Sequence, residues 1–285
     1  MLGVALIWGI NIPVIRIGLE KMDRFSLNAV RLIISAVVLG AFAIAERRQG
    51  IRTDRDLSWR PILGYTLLIS VLYQLFFLIG VSHTASGTTS LILSTIPMWT
   101  ALLARAFLKE ELKPLAWLGL ATAFSGTLTV TLEKGANGFS QSTLVGNLLI
   151  IAAAVCWAAG TVCSRPLMQK ISPMQLAAWS TIISLPLHLA AAVPNAGAGI
   201  RALTSPDVWA VVVYSGLFST GLALPMWNFG VRRAGAAQAA VFQNLVPVIA
   251  MATAWLFRGE RVTMFQVIGG TLIIGGLLMM RRARR

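Results

Sequence analysis

The chain has 285 residues, 56% of them hydrophobic and only 12% charged, with a mean hydropathy of +0.76. A soluble domain carries about 25% charged residues, so a soluble globular protein is excluded. The net charge of +14 is spread in short clusters between long uncharged runs, which points to membrane topology and not to a nucleic-acid partner.

Runs such as "LNAVRLIISAVVLGAFAIA" and "VIGGTLIIGGLLMM" set the fold class. About 20 mostly apolar residues are needed for a helix to cross the hydrocarbon, and only helices or closed barrels cross at all. Barrel strands alternate with a period of two, which these runs do not. An all-α polytopic membrane protein with ten transmembrane helices is expected. The spans are placed near 2–19, 26–45, 61–80, 86–107, 114–132, 143–164, 174–193, 208–230, 235–257 and 262–280, with turn and charge signals at the breaks. The first lacks a basic n-region and a small-residue cleavage site, so it reads as a span and not as a signal peptide.

With both termini in the cytoplasm, the inside loops hold sixteen Lys and Arg and the outside segments seven. This positive-inside bias assigns both ends to the cytoplasmic face. Cys156 and Cys163 lie on one helix with a rise of about 10.5 Å between them, too far for a disulfide. No metal site and no cofactor are expected.

The two halves echo each other. Pro97, Ala104, Phe107, Glu110, Gly119 and Gly126 meet Pro247, Ala254, Phe257, Glu260, Gly269 and Gly276 at an offset of 150; upstream, Trp8, Arg16 and Ser35 meet Trp157, Arg165 and Ser184 at 149. One repeat then contains five spans, an odd number, so the second copy enters the membrane upside down. Two inverted five-helix repeats, 1–135 and 142–285, are the expected organisation. Inverted repeats are the architecture of alternating-access transporters, with the substrate site at the repeat interface near mid-membrane.

"SLILSTIPMWTALLARAFLKEELKPLAWLGLATAFSG" and its second copy "AVFQNLVPVIAMATAWLFRGERVTMFQVIGGTLIIGG" resemble the EamA-type unit of the drug/metabolite transporter superfamily. In that unit a Pro-containing helix ends in an acidic residue and a Gly-rich helix follows. "WGINIPVIR" is similar to the family's first helix. The resemblance covers the whole chain. It implies ten helices, cytoplasmic termini, residence in the inner (plasma) membrane and movement of small metabolites, often outward. The Trp-rich helices resemble the aromatic amino-acid exporter branch within that superfamily.

The candidate residues follow from the same reading. Proline inside a helix frees the carbonyl four residues back, so Pro97 and Pro247 are candidate hinges that gate opposite sides; well-satisfied helix prolines are the plain alternative. Trp59, Trp117 and Trp209 lie at span ends and belong to the interfacial belt. Trp8, Trp99, Trp157 and Trp227 lie within spans beside Asn11, Thr95, Asn228 and Asn244, with Tyr73 and Phe77 on the third span. Together these form a candidate substrate pocket of rings and amides, suited to an amphipathic solute; ordinary packing is the other reading of each ring. Arg31 and His83 are candidate outer-side charge or pH sites, with snorkelling the alternative for Arg31.

Every Asp and Glu lies at a span end or in a loop, so a mid-membrane carboxylate proton relay has no members. Facilitated transport of zwitterionic or neutral cargo fits better than phosphate. The glycines at 119, 126, 269, 270, 275 and 276 are expected at helix contacts, and a monomer or weak homodimer follows. The reading is therefore a transporter of small amphipathic metabolites, amino acids above all, with the lipid bilayer and a small-molecule substrate as its partners. Export of cationic or aromatic drugs or nucleosides is the alternative. An intramembrane enzyme lacks its nucleophile–base pair, and a channel lacks its charge ring.

Overall fold

The computed structural model describes residues 1–51, 53, 57–108, 113–131, 141–234, 243, 245–259 and 261–283. Among these, helices alternate with short turns and no strand occurs. Seven helical runs are long and apolar enough to cross a membrane, and Leu245–Phe257 and Met264–Met280 are shorter apolar helices. The protein is an all-helical, multi-pass membrane protein.

The first half opens with α1 (Leu2–Leu19) and α2 (Arg24–Arg48). Asp23 starts α2 by accepting from the amides of Phe25 and Ser26 at 3.0 and 3.1 Å, the usual satisfaction of an N-terminal turn. The third span is one continuous run built as α3 (Trp59–Tyr65), a π-helical stretch at Thr66–Leu72, and α4 (Tyr73–His83). The fourth is broken: two residues, Ser94 and Thr95, separate the end of α5 (Ser86–Leu93) from the start of α6 (Ile96–Leu108). Pro97 therefore sits in the first turn of a new helix, where its missing N–H is least felt. Ser94 and Thr95 donate their hydroxyls to the Leu91 and Ile92 carbonyls at 2.7 Å, closing the buried end of α5. The half ends with α7 (Pro114–Thr131).

The second half contains α8 (Gln141–Leu167), α9 (Pro173–Ala192), α10 (Ala196–Ala202), α11 (Pro206–Val213), a π-helical stretch at Tyr214–Leu222, α12 (Ala223–Ala234), α13 (Leu245–Arg258) and α14 (Met264–Ala283). The glycine-rich segment after residue 195, expected as loop, forms α10. Pro247 lies in the first turn of α13, as Pro97 does in α6. Glu110, Glu260 and the loop at 132–140 lie outside the described residues.

Packing is set by small residues where backbones meet. A Cβ at Gly119 would stand 2.5 Å from the Gly276 carbonyl, and one at Gly126 would stand 2.5 Å from that of Gly269. The reversed order means α7 and α14 run antiparallel along a shared glycine seam. Gly270 faces Leu91, but nothing lies within 4 Å of a Cβ at Gly275, so that glycine, expected at a contact, is not part of the seam.

The bundle is tied at both ends. At one, Lys21 pairs with Asp207, and the Arg16 guanidinium donates to the Thr84 carbonyl. At the other, Ser172 donates to Glu46, and the Gln175 amide donates to the Ile51 carbonyl at 2.9 Å.

Overfilling a tight contact costs roughly 1–3 kcal/mol or more. Gly126→Leu is expected to lower the melting temperature and the monodisperse yield in detergent, while Gly275→Leu leaves both near those of the native protein.

Candidate substrate cavity

The middle of the bundle holds a partly enclosed cavity of about 80 Å³, room for several waters. Residues from both halves line it. Its apolar wall is an aromatic cluster: Trp8 on α1 meets Trp157 on α8 edge to face at 5.3 Å between centroids. Tyr73 on α4 lies 4.8 Å from Trp157 and stacks on Phe77 at 5.8 Å. Trp227 packs behind, 5.5 Å from Trp8 and 6.2 Å from Trp157.

The two π-helical stretches supply Ile69, Ser70, Ser219 and Thr220 to the lining. A π turn bonds five residues back instead of four and so disturbs the carbonyls along the run. Here side chains on neighbouring helices take them up. His188 Nε2 lies 2.7 Å from the Ser70 carbonyl, the Trp8 indole N–H donates to the Ser219 carbonyl at 3.0 Å, and the Ser35 hydroxyl donates to Gly216 at 2.9 Å. Gly216 lets α2 come this close, since a Cβ there would be 2.6 Å from the Arg31 carbonyl.

Arg31 points its side chain at this cavity wall and is only 2% exposed. Its Nε donates to Asn28 Oδ1 at 2.8 Å, and its Nη2 donates to Gln74 Oε1. Asn28 in turn bonds His188 Nδ1 at 3.0 Å, and His188 is 1% exposed. Three cavity residues carry buried polar atoms with no protein partner: Asn11 Oδ1, Gln243 Oε1 and Trp157 Nε1.

The residues named from the sequence therefore fall into groups. Trp8, Asn11, Tyr73, Phe77, Trp157 and Arg31 share the cavity. Trp227 supports it from behind. Thr95, between the lining residues Ser94 and Ile96, does not itself line the cavity and accepts from the Trp99 indole N–H one turn on at 3.1 Å. Asn228 is buried beside the Pro173 carbonyl at 3.4 Å. His83 lies near the α4 end, 3.4 Å from Arg24 Nη1, in a separate recess with Arg16 and Arg261. Asn244 lies outside the described residues. Ser70, Ser94, Thr181, Ser219, Thr220 and Gln243, which also line the cavity, were not anticipated from the sequence.

Membrane helices enclosing a polar and aromatic cavity form the build of a multi-pass small-molecule transporter. The chain belongs to the EamA-like transporter family, which matches residues 1–132 and 144–282. It is similar to a probable terminal-alkyne amino-acid exporter of Streptantibioticus cattleyicolor, with 29% identity covering 96% of this chain and 90% of that protein. It is likewise similar to a probable amino-acid metabolite efflux pump of Escherichia coli K12, with 28% identity covering 96% and 91%. A solved crystal structure superposes with a TM-score of 0.70 at 20% identity, covering 98% of this chain and 94% of that one, which places the fold.

Removing the His188 ring leaves the Ser70 carbonyl and the Asn28 amide buried without partners, at roughly 1–3 kcal/mol. His188→Leu is expected to lower the thermal unfolding midpoint in detergent, and His188→Gln, which keeps one donor and one acceptor, to lower it less.

Proposed function

We propose that the protein exports small amphipathic metabolites, amino acids with aromatic or other hydrophobic side chains, across the inner (plasma) membrane by alternating access, with both termini cytoplasmic. The observation that carries this reading is the cavity itself, walled by rings and amides from both halves of the chain. Such a surface accepts a solute with an apolar side group and polar ends. The names of the two relatives, both amino-acid exporters or efflux pumps, favour the same substrate class and direction.

Alternating access is supported by the way the halves mirror each other. At the offset of 150, the π stretch at Thr66–Leu72 corresponds to residues 216–222 of the second stretch. Gly80 packs on Ile150 and Gly230 packs on Met1, two contacts related by the same offsets. The glycine seam pairs Gly119 with Gly276 and Gly126 with Gly269, as an inverted pair of repeats would. Two repeats related in this way can exchange conformations, so states open to either side lie close in energy. Pro97 and Pro247, each beside a helix start at the cavity edge, are the hinges in this scheme.

Purified protein in liposomes loaded with unlabelled L-phenylalanine or L-tryptophan is expected to show saturable counterflow of the labelled amino acid. An aromatic contact is worth roughly 0.5–1.5 kcal/mol, so Trp157→Ala raises the half-saturation concentration about two- to ten-fold. Trp209→Ala, at the exposed rim, leaves it unchanged. A linear, unsaturating flux, or counterflow by nucleosides alone, overturns the proposal.

A further inference from the structure

Arg31 is a buried cation whose recorded partners are both neutral. A guanidinium has five N–H donors in a fixed fork, and the bonds to Asn28 and Gln74 account for only two. The chain goes further and fixes the polarity of the support. A backbone carbonyl only accepts, so the proton of His188 resides on Nε2, facing the Ser70 oxygen. Nδ1 is then an acceptor, the Asn28 amide N–H donates to it, and the Asn28 oxygen is left to face Arg31. Each link admits one direction, so the guanidinium is held rigidly by groups that bring no negative charge. A buried charge left unpaired in this way is unfavourable until an anion arrives.

The same cavity carries the opposite need. Asn11 Oδ1 and Gln243 Oε1 are buried acceptors without partners, on residues 5% and 6% exposed. Acceptors without donors suit an ammonium group, which has three donors and no acceptor. Resting on the amino-acid reading above, we infer that this cavity is a zwitterion site: Arg31 takes the carboxylate of a free α-amino acid through its unused N–H groups, and Asn11 and Gln243 take its ammonium. His188 and Asn28 are positioning residues that aim Arg31. One unpaired positive charge matches one carboxylate, so the cargo carries both free groups; esters, amides, amines and nucleosides are poor fits.

The test is binding, read by tryptophan fluorescence of the full chain in detergent, with L-phenylalanine, L-phenylalaninamide, 3-phenylpropionate and phenyl phosphate as probes. L-Phenylalanine is expected to bind about ten-fold or more tightly than each of the others, the scale of one charge-assisted hydrogen-bonded contact. Gln74→Glu is the decisive variant, because it keeps the shape of the site and supplies Arg31 with an internal carboxylate. It is expected to keep the native melting temperature and to reduce L-phenylalanine binding to the level of the amide. Gln243→Leu is expected to bring L-phenylalanine down to the level of 3-phenylpropionate.

Equal binding of L-phenylalanine and its amide by the native protein, unaltered L-phenylalanine binding in Gln74→Glu, tighter binding of phenyl phosphate, or binding of none of the four overturns the inference. Counterflow separates this result from the transport reading. Carboxylate-dependent binding without counterflow leaves the site standing and removes the exporter. Counterflow that carries the amide as well as the acid does the reverse.

Discussion

A peptide group in hydrocarbon must find its hydrogen-bond partner inside the protein, because lipid offers none. That constraint makes the described spans helical, and it also explains where the helices are allowed to fail. The break after Leu93 is closed by the hydroxyls of Ser94 and Thr95. The two π stretches are tolerated because His188, Trp8 and Ser35 take up carbonyls along them. All three irregular segments contribute to the cavity lining. Irregular backbone brings polar groups to the middle of the bundle, and the side chains that satisfy it become the shell of the site.

The same constraint governs charge. The described acidic residues stay at helix ends and in loops, where Glu46 meets Ser172 and Asp207 meets Lys21. Among the described basic residues Arg31 is the exception, a charge brought to the cavity and held by the dipoles of Asn28 and Gln74. Neutral partners stabilise a guanidinium less than a carboxylate does, but a carboxylate would already occupy it. Asn28 and Gln74 orient the fork and leave its charge for something else. The chain thereby retains an electrostatic need at its centre, which solute binding would meet under the proposed zwitterion site.

Much of this was legible in the sequence. Apolar runs with charged punctuation gave the helices, and the recurring Gly119, Gly126, Gly269 and Gly276 lie together in the glycine seam. The ring cluster was readable because Trp8 and Trp157 are mates in that recurrence. The polar half of the cavity was not readable. Arg31 lies five residues into its helix from the side assigned as outer, a place where a long side chain can equally reach the headgroups; only the positions of Asn28, Gln74 and His188 turn it inward. Ser70 and Ser219 looked like ordinary small residues in apolar helices, because a π turn has no composition of its own. Thr95 and Asn228 have the right chemistry, but each is spent on a neighbour.

Under the proposed inverted repeat, cavity positions come in pairs, some of them alike: Trp8 with Trp157, Ser70 with Thr220, and Ile96 with Val246. At other pairs the chemistry differs. Gln74 corresponds to Leu224, Gln243 to Leu93, and Thr181 to Leu32, all of them lining residues; Arg31 corresponds to Ser180. A carrier needs symmetry in its frame so that its two open states are close in energy, yet a solute with one apolar end and two unlike charged groups has no twofold axis. The pairing of like backbone with unlike side chains reconciles the two demands. Rings and irregular turns are shared between the halves, while the cation and each unpaired amide appear on one side of the pair only. Restoring symmetry at Arg31 or Gln243 would keep the bundle and remove its ability to tell one end of a solute from the other.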